Sequence, residues 1–105
     1  MPVDLIWQTR TKNDLLEIYE VIGLDSPAAA ERVYDAIEAK TRHLTEFPRL
    51  GPRRRDIGLT VRVLIEGPYL ILFETHPDTD DGPIDSVEIV RVVDGRRELT
   101  GFFDR

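Results

Sequence analysis

The chain has 105 residues, 41% hydrophobic and 32% charged, with a formal charge of −6 and no cysteine. That length fits one small domain spanning 1–105 with a modest core. The absence of cysteine removes disulfides, thiolate metal sites and thiol chemistry together, and the acidic balance argues against general nucleic-acid binding. No apolar run approaches the roughly 20 residues of a membrane span. The N-terminus has no basic patch ahead of an apolar core, so a cytoplasmic protein with no membrane contact is expected.

The charge is unevenly distributed. Between Arg49 and Arg62 lie Arg49, Arg53, Arg54, Arg55 and Arg62, with only Asp56 opposing them. Between Pro77 and Glu88 lie Asp78, Asp80, Asp81, Asp85 and Glu88, with no base. Local patches of this kind can bind partners that net charge would repel.

Val3, Leu5 and Trp7 alternate with Asp4, Ile6 and Gln8, which predicts a short first strand. Thr11 and Asp14 read as a capping pair opening a helix. Leu15, Ile18, Tyr19 and Ile22 then form one apolar stripe, and Gly23 suits a helix end. Ser26-Pro27 supplies an N-cap and a first-turn proline for a second helix. Its stripe is Ala30, Val33, Tyr34, Ile37, Thr41 and Leu44, and Phe47-Pro48 ends it. The short gap predicts an antiparallel α-hairpin.

Residues 48–60, with their prolines, glycines and Arg53-Arg54-Arg55, read as an ordered loop. Val61–Ile65 and Tyr69–Phe73 are strands joined around Gly67-Pro68. In the second, Tyr69, Ile71 and Phe73 lie on one face and Leu70 and Leu72 on the other, the pattern of an interior strand. His76–Pro83 is an acidic loop, Val87–Val93 a last strand, and the tail follows Gly95-Arg96-Arg97. The expected fold is α+β: an N-terminal strand joining the edge of a small antiparallel sheet, with the α-hairpin across one face.

This order of elements, together with particular residues, resembles the RelE/ParE superfamily of type II toxins. The residues are Asp14-Leu15 and Ile18, Pro27 to Arg32, Leu44 with Phe47-Pro48-Arg49-Leu50-Gly51, Arg62-Val63-Leu64, Gly67 to Ile71, and Ile89 to Leu99. The Phe-Pro-x-x-Gly junction and the Gly-Arg-Arg strand exit look more like the ParE branch. That resemblance implies a toxin that binds and poisons DNA gyrase, is not itself an enzyme, and needs no cofactor. It implies a cognate ParD-like antitoxin with a ribbon-helix-helix DNA-binding domain, so that DNA is met only through the antitoxin or gyrase. The antitoxin helix would lie along the α-hairpin groove.

RelE-type nucleases resemble one another in placing an arginine after the hairpin turn, another after the final glycine, and a tyrosine or histidine near the C-terminus. Here those positions hold Leu70, Arg97 (beside Arg96) and Phe103. An RNase needs a base, an acid and a phosphate clamp, so catalytic residues are not expected. His43 and His76 are the available replacements, and their spacing does not resemble a metal site. Target binding is assigned to Arg91, Arg96, Arg97, Phe102 and Phe103. Arg91 could instead pair with Glu88 or Glu74. Antitoxin or target binding is assigned to Arg53, Arg54, Arg55 and Arg62. The alternatives are a ribosome-dependent mRNA endonuclease of the RelE type, and a decayed toxin that only forms the antitoxin complex.

Overall fold

The computed structural model describes residues 3–96. Strand β1 (Asp4–Trp7) leads into helices α1 (Thr9–Gly23) and α2 (Pro27–Arg42), a 3-10 turn (His43–Thr45), and strands β2 (Arg62–Glu66), β3 (Tyr69–His76) and β4 (Ser86–Asp94). The sheet order is β1-β4-β3-β2. The β2–β3–β4 pairs are antiparallel, as expected. β1 does take an edge, but it runs parallel to β4, pairing Asp4–Trp7 with Ser86–Ile89. The sheet is therefore mixed and not antiparallel. Alternation of side chains is blind to strand direction, and a strand separated from its partner by two helices can return with either sense.

α2 begins as its sequence dictates, with Ser26 Oγ accepting from the Ala29 N–H at 3.1 Å and proline in the first turn. It stops at Arg42, and the 3-10 turn then buries Leu44. α1 departs from expectation. It starts at Thr9 with Gln8 as an N-cap that makes no side-chain bond. Thr11 and Asp14 form no capping box. Thr11 Oγ1 is buried and donates to the Ile89 carbonyl at 2.7 Å. Asp14 accepts from Arg91 Nε at 2.6 Å, Arg91 Nη2 at 3.1 Å and the Val92 N–H at 3.1 Å. Both residues tie α1 to β4, on the same side as the buried Leu15.

The helix-side core comprises Leu15, Ile37, Leu44, Leu64, Ile71, Phe73, Val87, Ile89 and Val92. A second cluster of Ile57, Val61, Val63, Leu72, Val90 and Val93 fills the opposite face. Each fully buried aliphatic side chain contributes roughly 1.5–3 kcal/mol. β3 is interior, with both faces apolar, as its sequence requires. A bulge in β4 lets Leu72 face Arg91 and Phe73 face Ile89, so Val90 is the extra residue. Beyond it the alternation shifts: Val92 joins the helix side and Val93 the other.

The segment 49–61 is a structural lid. Its Ile57 is fully buried in the second cluster. It also covers the outer edge of β2, where Val63 N–H donates to Pro52 O at 3.0 Å and Arg54 N–H to Val61 O at 2.8 Å. Covering an edge in this way blocks unwanted strand pairing. Gly51 is buried beneath it. A Cβ there would collide with the Val63 carbonyl oxygen and lie 2.8 Å from Phe73 Cε1, so no side chain fits.

The basic and acidic segments meet each other. Arg53 bonds Asp78 at 2.6 Å and Asp80 at 2.9 Å. Arg62, 5% exposed, reaches Asp80 at 3.1 Å and the Gly51 carbonyl at 3.2 Å. Arg49 donates to Thr79 and to the Gly82 carbonyl. The β3–β4 loop is thus clasped onto the lid.

Two outcomes follow from these contacts. Asp14→Ala removes the carboxylate that Arg91 and the Val92 N–H share and destabilises the fold by about 3 kcal/mol. Asp14→Asn, which keeps an acceptor oxygen in place, costs less, as urea denaturation will measure. Separately, the bonds from Arg53 hold Asp80 below the usual carboxylate range. Its stabilisation is therefore present above about pH 3.9, the unfolded value, and is lost as pH falls through the lower folded value. The Tm difference between wild type and Asp80→Asn is expected to be small, since Asp80 is exposed. It is steady above about pH 5 and closes only as the pH is taken below about 3.9, through the lower folded value.

Candidate functional site

β1 pairs with β4 only as far as Ile89. Beyond that point the β4 edge is left to α1, and a hollow of about 310 Å³ opens between them. Its apolar wall is Ile18, Val21, Ile22, Val92 and Val93, and its rim carries Asp14, Glu17, Tyr69, Arg91, Asp94 and Arg96. Two of the arginines assigned to target binding, Arg91 and Arg96, therefore border one hollow.

Neither is a bare cation. Arg91 and Asp14 form a two-pronged pair, each side chain 12% exposed. The acceptor is Asp14, not Glu88 or Glu74. Arg96 bonds Asp94 through Nε at 2.8 Å while its side chain stays 76% exposed. The bond to Asp94 raises the Arg96 pKa, and the guanidinium is charged at any ordinary pH. Arg97, Phe102 and Phe103 lie outside the described residues.

The second arginine group is split by its surroundings. Arg53 and Arg62 face the acidic loop, and Arg54 bonds Asp56 at 2.9 and 2.8 Å. The hydrogen bonds Arg53 donates to Asp80, then to Asp78, raise it above the ordinary arginine value. Arg54 is raised in the same way by Asp56. Burial lowers Arg62, and the neighbouring Arg53 adds to that effect, against Asp80. The buried Arg62 Nε has no hydrogen-bond partner among the described residues. Arg55 is exposed. Three of these four residues thus meet carboxylates within the chain: Arg54 its near neighbour Asp56, and Arg53 and Arg62 acids whose distance in sequence concealed the pairing.

A second hollow, of about 380 Å³, lies along the α-hairpin. Trp7, Leu15, Leu16 and Tyr34 line it, with Lys12 and Glu38. Tyr34 is fixed edge-on against Tyr19, ring centres 5.9 Å apart. Leu16, Val21 and Leu24 are exposed on α1 and just beyond it.

Sequence reasoning missed one group. On the sheet face away from the helices, His76 Nε2 lies 2.9 Å from Glu88 Oε1, Gln8 donates to Glu88 Oε2 at 2.6 Å, and Glu74 stands directly across from Glu88. Glu74 and His76 are two apart on one strand, which places them on one face, but Glu88 joins them only through the strand register. Hydrogen bonds from Gln8 and then His76 lower the Glu88 pKa. His43 is exposed at the end of α2. Leu70 packs against the second apolar cluster and offers no polar atom from its side chain.

Among the described residues, no helix is long and apolar enough to cross a membrane. A search of curated proteins gives no match. Among solved structures, the chain resembles one described as the chromosomal ParDE toxin–antitoxin system from P. aeruginosa. The match has a TM-score of 0.68 at 23% identity, covering 88% of this chain and 95% of that one. That likeness establishes the shared α+β fold. The family model for the ParE toxin of the type II toxin–antitoxin system parDE matches residues 5–99. With nearly the whole length matched, the chain belongs to the ParE toxin family of type II toxin–antitoxin systems.

Proposed function

We propose that this ParE toxin arrests growth by binding DNA gyrase and poisoning it, and that it breaks no bond itself. The observation that carries the reading is chemical. A nuclease of the related RelE branch would need a cation near Leu70 and a titratable group near Phe103, and this chain has an aliphatic side chain and a plain phenyl ring there. The remaining imidazole–carboxylate pair, His76 with Glu88, sits opposite Glu74. Two carboxylates at that spot repel an RNA phosphate instead of stabilising the charge that builds on it. The target is held through the β4 exit: Arg96, exposed and firmly charged, and Arg97 and the Phe102-Phe103 tail beyond it. Arg91 acts there indirectly, because its bonds to Asp14 fix the strand that carries Arg96.

The test is expression without an antitoxin. Filamentous cells, an SOS response and intact mRNA are expected. Codon-positioned cuts in ribosome-bound mRNA would overturn the proposal in favour of an endonuclease, and normal growth would indicate a decayed toxin.

Neutralisation comes from a ParD-type antitoxin with a ribbon-helix-helix DNA-binding domain, whose amphipathic C-terminal helix lies in the groove of the α-hairpin. The groove offers apolar side chains with Lys12 and Glu38 beside them, the pattern that suits a helix with one apolar face. Leu16 is half exposed there, so it is available to a partner without supporting the core. Leu16→Glu is expected to leave the melting temperature nearly unchanged. It weakens antitoxin binding by roughly 30-fold, equivalent to a 2 kcal/mol hot spot, as calorimetric titration will show.

A further inference from the structure

The outer sheet face carries a feature that gyrase binding does not use. Glu74 and Glu88 are directly opposed across β3 and β4. Like charges in that relation destabilise a sheet. His76, two residues along β3 on the same face, joins them. One ligand atom from each of Glu74, His76 and Glu88 lies within 4.8 Å of the other two. We propose that these three side chains form a binding site for a divalent transition-metal ion of the zinc class.

The donors around the triad support this reading. Glu88 uses its two oxygens differently: Oε2 accepts from Gln8 Nε2 at 2.6 Å, while Oε1 faces His76 Nε2 at 2.9 Å. On Glu74, Oε2 accepts from the Thr60 hydroxyl. Each carboxylate thus has one oxygen fixed by an outer donor. Such outer hydrogen bonds orient ligating side chains and strengthen metal binding. The 2.9 Å contact between Glu88 Oε1 and His76 Nε2 is a hydrogen bond, and an ion would take the place of its proton, with the two atoms moving slightly apart to hold it. A bridge between His76 and Glu88 alone leaves Glu74 beside them with only the Thr60 hydroxyl as its donor. A dication answers both carboxylates at once.

The donor set selects the ion. One imidazole nitrogen with two carboxylate oxygens suits zinc or a neighbouring first-row ion. Magnesium prefers oxygen alone in strict octahedral geometry. Three protein ligands leave a fourth position for water or a partner side chain. A hollow of about 480 Å³ touches the triad at Glu74, takes in the outer donors Gln8 and Thr60, and has room for either.

The experiment is calorimetric titration of the untagged full-length chain with zinc chloride, with magnesium chloride in parallel. One zinc ion per chain is expected, bound more tightly than magnesium and raising the melting temperature by mass action. His76→Ala and Glu88→Gln each weaken binding at least tenfold. Gln8→Ala weakens it by roughly 10–100-fold, as loss of an outer-shell partner does. His43→Ala leaves it unchanged. Should one of the triad variants fail to fold by circular dichroism, the other carries the same test. The proposal is overturned by non-saturable zinc uptake, by equal affinity for magnesium, by undiminished binding in the folded triad variants, or by loss of binding in His43→Ala.

Discussion

The carboxylate of Asp14 receives three hydrogen bonds, two from the Arg91 guanidinium and one from the Val92 backbone. It does so where β4 has no further partner strand, because β1 stops pairing at Ile89. One turn earlier on α1, Thr11 holds the Ile89 carbonyl. Together these side chains close the open edge of β4 with a helix where a strand is missing. Backbone donors left unpaired away from water cost as much as a lost hydrogen bond, so the placement of α1 follows from that edge. The hollow near the strand exit and the groove along the α-hairpin both take their walls from a helix fixed in this way.

The same economy governs the charged segments. Five arginines and five acids, separated by sequence into two runs, read as two surfaces for two kinds of partner. In the folded chain several of them satisfy one another, clasping the β3–β4 loop onto the lid at 49–61. Exposed pairs of this kind contribute little stability individually. Their effect is to hold a segment with little regular structure over the apolar cluster around Ile57 and Leu72. What remains for recognition at that end is smaller than the sequence suggested, and it lies in exposed groups such as Arg55.

Much of the fold was legible because it rests on local rules. The stripes of α1 and α2, the Ser26-Pro27 start, the Gly67-Pro68 turn and the doubly apolar β3 are all set by neighbours within a few residues. The misread pieces depend on distant partners. Thr11 and Asp14 have the spacing of a capping pair, yet both are drawn to β4, 77 and 78 residues away. Val92 and Val93 have no local signal for the bulge that decides their faces. The candidate site divides in the same way. Arg91 and Arg96 were identifiable from the strand and its glycine exit. Their carboxylate partners were less so, because Asp14 reaches Arg91 only after α1 docks. His76 was visible as a loop-edge residue, whereas its grouping with Glu74 and Glu88 exists only in the β3–β4 register.

By itself the sequence determined the kinds of element, their order, the two apolar faces of the central strands, and the family to which the chain belongs. The elements follow from side-chain periodicity and turn chemistry, which act over short range, and the family from the match of residues 5–99 to the ParE toxin model. Only the tertiary structure decided the parallel sense of β1, the shift in face along β4, and which charges neutralise which. Each of these is settled by hydrogen bonds and ion pairs between segments far apart in the chain, and such partners are chosen by packing, not by spacing.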